Sequence, residues 1–271
     1  MGTVLGIENS VGGRRWSQKI MDDNESERLI YAIVQRYGLT EIVARLLIAR
    51  NVPIDDVERF LNPKVREEMP DPSSLVGMNV AVDRLVKAIR EKEVIGIFAD
   101  YDVDGATSSA LMKKYLDALH IQSELYIPDR IKDGYGPNKK GLEDLKNKGA
   151  SLILTLDCGV LAFDILDEFD RQGGDIIVVD HHMAEPKLPK AVAVINPNRL
   201  DDDSNLGNLA AVGVVFLLLV ALTRALREID WFIVKKEPEL LQWLDLVAIG
   251  TVCDVVELRG LNSCLLYTSP S

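Results

Sequence analysis

Apolar positions recur at helical spacing from Glu25 to Phe60, with Leu29, Ile33 and Val34 followed by Ile42, Val43, Leu46 and Leu47, and the run closes at Leu61-Asn62-Pro63. This spacing predicts a small helical module over 25–75, preceded by a polar, weakly patterned stretch, 1–24, that reads as a loose leader. Past Pro70-Asp71-Pro72-Ser73-Ser74 the pattern changes. Short apolar runs at 94–99, 122–127, 152–156, 175–179 and 191–195 read as strands, and the segments at 78–92, 106–119, 140–148 and 161–172 read as helices. Apolar strands separated by helix-length segments predict an α/β fold, a parallel five-stranded sheet flanked by helices. Leu209 to Leu222 predicts a long connecting helix at about 210–228, with a further helix at about 237–249. The catalytic domain is thereby expected over 76–262. Residues 263–271 have no evident period and are expected to be a non-native tail.

Composition narrows this only a little. With 47% hydrophobic residues in 271, a packed core is feasible and disorder is not indicated. A net charge of −11 excludes a chain coated in basic nucleic-acid-binding surface, so contact with DNA or RNA must be local. Cys158, Cys253 and Cys264 form no CxxC pair, which suits a reducing compartment, and Cys158 and Cys253 are expected to be small buried fillers. The N-terminus has no apolar secretory core, and Leu209–Leu222 is shorter than the roughly 20 residues of a membrane span. A cytoplasmic protein without a membrane segment is expected.

The candidate chemistry sits where the predicted strands end. Asp180-His181-His182 follows the run 176–179, Asp100, Asp102 and Asp104 alternate after 94–98, and Asp157 follows 152–156; Asp254 follows Ile249 to Cys253. Such carboxylates and imidazoles repel one another unless cations neutralise them, so the pattern implies bound metal. Each alone has an ordinary alternative, since aspartates at strand ends also cap helices. The helix expected from Ala106 offers backbone N–H groups and hydroxyls, Ser108 among them, for a phosphate. After the second strand, Arg130 can fork onto a phosphate and Gly134-Tyr135-Gly136 can bring backbone close to substrate, with Asn196-Pro197-Asn198-Arg199 a weaker candidate of the same kind.

These residues together resemble the DHH phosphoesterase superfamily, and within it the bacterial single-strand-specific exonucleases. The resemblance runs from about residue 40 to 262. It rests on Asp-Tyr-Asp-Val-Asp-Gly (100–105), Ile-Pro-Asp-Arg with Gly-Tyr-Gly (127–136), Leu-Asp-Cys-Gly (156–159), Asp-His-His (180–182), Asn-Pro-Asn-Arg (196–199) and Gly-Thr-Val-Cys-Asp-Val-Val (250–256). It implies two Mn²⁺ (or Mg²⁺) ions sharing Asp157: one held by Asp104, Asp157, His181 and Asp254, the other by Asp100, Asp102 and Asp157. By the same resemblance Asp157 and His182 are the catalytic residues, with His182 facing the scissile phosphate. Arg130, Gly134, Tyr135, Gly136, His182 and Ser108 would contact substrate phosphate. The implied activity is 5′-to-3′ hydrolysis of single-stranded DNA to nucleoside monophosphates in repair and recombination, with a single-strand-binding protein and a helicase as partners of the full-length protein. Members of this branch continue into a DHHA1 domain and an OB-fold, both expected to be absent here. Two alternatives stay open: a nanoRNA or cyclic-dinucleotide phosphodiesterase with the same chemistry, and a non-catalytic replication-fork scaffold, which would require lost ligands. Pyrophosphatase relatives carry a His where this chain has Phe98.

Overall fold

The structure, a computed structural model, describes residues 3–17, 19–20 and 23–270, and the chain divides into two compact units, Met1–Glu67 and Glu68–Ser271. In the first, α1 (Asn24–Tyr37) starts on Asp23, whose carboxylate accepts the Ser26 N–H at 2.7 Å, and stops at Gly38 in the left-handed region. α2 (Glu41–Ala49), α3 (Val57–Leu61) and α4 (Val65–Glu68) follow. The core of this unit is Ile30, Ile33, Ala44, Leu47 and Val57. The buried stripe differs from the expected one, because Leu29, Ile42 and Leu46 are exposed. Apolar residues occur on both sides of these helices, so spacing alone fitted either stripe. The expected loose leader is also corrected where it is described: Val4 donates to the Trp16 carbonyl and Trp16 to that of Ile7, making a short hairpin. Positions 1, 2, 18, 21 and 22 of that stretch lie outside the described residues.

The second unit is the α/β body. Its elements in order are α5 (Met78–Glu91), β1 (Val94–Ala99), α6 (Val103–Ala118), β2 (Ser123–Tyr126), α7 (Lys139–Asn147), β3 (Ala150–Leu156), α8 (Phe163–Arg171), β4 (Asp175–Val179), β5 (Ala193–Ile195), α9 (Ala211–Glu228), α10 (Leu244–Cys253) and α11 (Leu261–Thr268). The five strands are all parallel in the order β2-β1-β3-β4-β5. Phe98, Ile153 and Val178 on one side of the sheet pack with Leu142 and Leu145 of α7 and Leu166 and Phe169 of α8. Right-handed crossovers put α6 on the other side, where α5, α6, α9 and α10 pack against one another. α9 is buried almost all round, from Ala211 through Leu219, as a core helix should be. No helix among the described residues is long and apolar enough to cross a membrane.

Three boundaries differ from the expected ones. The Pro-rich segment 70–75 belongs to the α/β unit, since Leu75 is buried, Val76 donates to Asp202 at 2.8 Å and Arg224 reaches Asp71 at 2.9 Å. The helix expected at 237–249 begins at Leu244, after a 3-10 turn at Leu240–Trp243, and runs on to Cys253. The tail expected from 263 lies mostly in α11, which buries Cys264 and Leu265 and is joined to Asn208 and Glu257 by the Asn262 amide. It shows no period because its buried residues, Leu261 to Leu265, run consecutively and include polar Asn262 and Ser263.

Candidate metal centre

Strand register fixes the geometry of the centre. Ala99 pairs with Leu156, Leu156 with Val179 and Val179 with Ile195, so the next residue of each strand, Asp100, Asp157, Asp180 and Asn196, stands in one row at the carboxyl edge. Backbone bonds carry that row one residue past the strands: Asp100 N–H donates to Leu156, Asp157 N–H to Val179 and Asp180 N–H to Ile195. The order places β1 and β3, whose connections leave in opposite directions, at the centre of this edge, the position where open α/β sheets bind ligands.

Asp157 is the hub. Its backbone is left-handed at φ 60°, a cost for a non-glycine residue that the following Gly159 at φ 113° helps the chain turn away from; a side chain at 159 would come within 2.7 Å of Thr155 Oγ1. Both Asp157 carboxylate oxygens are buried and make no hydrogen bond among the described residues, and the same is true of Asp100 Oδ1 and His181 Nε2. His181 Nε2 lies 3.4 Å from Asp157, 3.6 Å from Asp254 and 3.8 Å from Asp104. Ligand atoms of Asp100, Asp102 and Asp157 form one cluster, and those of Asp104, His181 and Asp254 another, each within 4.8 Å. Burial, then the neighbouring Asp104 and Asp102 carboxylates, push Asp157 up to about 10. Burial likewise raises Asp104 to about 6 and lifts Asp100 and Asp254 above the usual carboxylate range.

Two of these aspartates also cap helices. Asp102 starts α6 by accepting Gly105 N–H at 2.9 Å, and Asp104 accepts Ala211 N–H at 2.6 Å and Val212 N–H at 2.9 Å at the start of α9. α10 comes close enough to contribute because it carries glycine at 250, where a side chain would strike Thr107 and Val212 and stand 3.1 Å from Asp104. Asp254 therefore ends a helix rather than a strand, with its carboxylate at the negative end of the α10 dipole, where a cation is favoured.

Asp180, which sequence presented as one of three metal-competent side chains, is engaged otherwise. Its oxygens accept Val160, His181 and His182 N–H groups and bond His182 Nδ1 at 2.7 Å. Burial pulls its pKa upward, but the His182 side chain and the Val160 and His182 N–H groups together outweigh it and the net shift is downward; His182, held by the same bond, is raised. Asp180 thus orients His182. The Tyr135 hydroxyl lies 3.4 Å from His182 Nδ1, and its ring meets Tyr101 and His182 edge-on. The Arg130 guanidinium lies 5.3 Å over the Tyr101 ring, while Lys139 and Lys140 pair with Glu168 and Asp133. Gly134 and Gly136 are left-handed, at φ 77° and 82°.

Two expected sets of contacts are not available to a substrate. Ser108 is fully buried, because α6 begins at Val103 rather than 106; Thr107 and Ser109 hydroxyls donate back to the helix, and Gly105 and Ala106 N–H groups are taken by Asp102. In Asn196-Pro197-Asn198-Arg199 the Asn196 amide donates to the His182 carbonyl at 2.9 Å, Asn198 to that of His181 at 2.5 Å, and Arg199 to Val194 and Asp201. This motif braces the two histidines. Cys158 is buried as expected, but Cys253 is exposed, on the outward side of α10.

The single-stranded-DNA-specific exonuclease RecJ of Bacillus subtilis (strain 168) is 34% identical over 248 residues, which is 92% of this chain and 29% of that protein. A crystal structure of exonuclease RecJ bound to manganese superposes with a TM-score of 0.62 at 33% identity, over 72% of this chain and 47% of that one. RecJ of Thermus thermophilus in complex with Mn²⁺ superposes with a TM-score of 0.69 at 27% identity, over 89% of this chain and 33% of that one. The chain spans less than half the length of each. The DHH family, N-terminal domain, matches residues 94–251, a stretch that takes in every strand of the sheet and most of the aspartates at its edge, and the chain belongs to the DHH family.

Proposed function

We propose that this chain is the catalytic core of a two-cation phosphodiesterase that hydrolyses single-stranded DNA from its 5′ end, releasing nucleoside monophosphates in DNA repair and recombination. The observation that carries the reading is Asp157, with two buried oxygens lacking any donor, between Asp100 and Asp102 on one side and His181, Asp104 and Asp254 on the other. These residues fit a pair of divalent cations: the donors are carboxylate and imidazole, Asp100, Asp104 and Asp157 are buried, and burial, with neighbouring carboxylates, raises the pKa of Asp157 and Asp104. Asp104, Asp157, His181 and Asp254 hold one Mn²⁺ or Mg²⁺, and Asp100, Asp102 and Asp157 the other. When bound, such a pair supplies a nucleophilic water at neutral pH and offsets the charge of the displacement.

The chain's own side chains do the positioning. His182, kept protonated to higher pH by Asp180, donates to an oxygen of the scissile phosphate. Arg130, turned over Tyr101, and the Gly134-Tyr135-Gly136 turn hold a phosphate through guanidinium and backbone N–H. Similarity to single-stranded-DNA-specific exonucleases supports DNA as the substrate. Three free cysteines without a CxxC pair suit a reducing, cytoplasmic setting, with a single-strand-binding protein and a helicase as partners of a longer protein. The test is digestion of 5′- and 3′-end-labelled single-stranded oligonucleotides with Mn²⁺, alongside a cyclic dinucleotide. Mononucleotides released first from the 5′ end are expected. Cleavage of the dinucleotide alone would replace this reading with the small-substrate one, and no cleavage of either with Mn²⁺ bound would reject both.

A further inference from the structure

Beside His182, between the Tyr135–Pro137 turn and the start of α8, lies a cleft of about 520 Å³, within the roughly 300–1,000 Å³ of small-molecule sites. We propose that it receives the nucleoside joined to the scissile phosphate, with the base packed on Leu161 and Phe163; this deepens the phosphodiesterase reading and rests on it. Three observations point the same way. First, the cleft is continuous with the metal centre, since His182 and Tyr135 line it and His182 Nδ1 stands 4.0 Å from Asp157. A phosphate at His182 therefore projects its own sugar and base there.

Second, the walls are apolar: Pro137, Val160, Leu161, Ala162, Phe163 and Ile165. Leu161 is 52% exposed at the rim, an apolar side chain without a covering partner in the fold. Third, the charge has the wrong sign for a second phosphate. Among the described residues that line the cleft there is no lysine or arginine, and Asp164 is one of them, which favours a neutral, flat base over a second phosphate; one cation, Lys187, lies 5.4 Å over the Phe163 ring. Asp164 also offers an acceptor to the exocyclic amine of adenine. Gly159 also lines the cleft, where a side chain would come within 2.7 Å of Thr155 Oγ1.

Calorimetric titration of the full chain loaded with Mn²⁺, using dAMP and 2-deoxyribose 5-phosphate, tests this. The two ligands share the phosphate and sugar and differ in the base. About tenfold tighter binding of dAMP is expected, as base packing on an aromatic side chain contributes in single-strand sites. Leu161→Asp and Phe163→Ala are each expected to erase most of that difference while leaving Mn²⁺ stoichiometry and deoxyribose 5-phosphate affinity unchanged. Equal affinities in the unaltered chain, or a tenfold preference that survives both substitutions, overturns the proposal. Should one variant fail to bind Mn²⁺, the other and the unaltered chain decide. If Mn²⁺ binds but neither ligand does, the phosphodiesterase reading falls together with the base site, whereas binding of both ligands alike sinks the base site alone.

Discussion

At the amino edge of the sheet, Glu93 before β1 and Asp175 at the start of β4 share one guanidinium, Arg84, at 2.8 and 2.6 Å, and Ser151 donates a further hydrogen bond to Glu93. At the carboxyl edge of the same strands, Asp100 and Asp157 are buried with oxygens that find no donor. The chemistry of the residues is the same and their electrostatic state is opposite. Burial pulls Glu93 upward, but Arg84 and Ser151 outweigh it and its pKa is lowered, whereas Asp157 is driven to about 10. Carboxylates matched by the protein's own cations hold the fold together; carboxylates left unmatched within a folded core mark the place where a cation from solution completes the structure.

That contrast is broken most severely at the unmatched edge. Asp157→Ala should lower phosphodiesterase activity by on the order of a thousandfold, the several kcal/mol that a cation pair contributes to the transition state, because this carboxylate borders both ligand clusters. Asp100→Ala should retain more activity, and kinetics at saturating Mn²⁺ would show it; equal losses would remove Asp157 from its central place.

A second test uses pH without metal. Folded-state values raised to about 6 for Asp104 and about 10 for Asp157 lie above those of an unfolded chain. The protonated forms thus favour the folded state, and that stability is complete below about pH 4 and is lost as pH rises through the folded-state values. Chelator-treated protein should therefore lose stability from pH 6 to 8, on the order of 1 kcal/mol per pH unit, while saturating Mn²⁺ should cancel the slope. Thermal melts at the two pH values, with and without Mn²⁺, measure this directly, and a flat metal-free profile would contradict it.

At the matched edge, Arg84→Ala should cost about 2 kcal/mol in urea unfolding, since it leaves two partly buried carboxylates without their donor, and should leave Mn²⁺ affinity intact. The smallest effect is expected from Asn198→Ala, which frees the His181 carbonyl and should weaken Mn²⁺ binding about tenfold, the low end for groups that orient metal ligands. An unchanged affinity would make the Asn-Pro-Asn-Arg segment a purely structural turn.

The sheet was readable because its strands are apolar on both faces and short; β1 and β4 fall on the expected residues, and the ligand aspartates follow β1 and β3 directly. Helix starts were less so. α6 begins three residues before the expected position because Asp102 supplies the cap, a role that spacing cannot distinguish from ligation, and this displaced Ser108 from the surface to the interior. The roles of Asp180, Asn196 and Asn198 were hidden for a related reason. Strand register, a long-range property, puts Asp180 and Asn196 in the row beside Asp157, with Asn198 two residues further on, and only that register reveals that their polar atoms are consumed in orienting His181 and His182. The tail at 263–268 was missed because its partner, α10, is itself apolar all round and leaves no sequence signal of which face is covered.

The central claim, that the unmatched carboxyl edge is completed by two cations flanking Asp157, is tested most directly by diffraction at the manganese edge from crystals grown with Mn²⁺. Two anomalous peaks on either side of the Asp157 carboxylate are predicted, one beside Asp100 and Asp102 and one beside His181 and Asp254. A single peak, or peaks that leave Asp157 without a cation, would contradict the account.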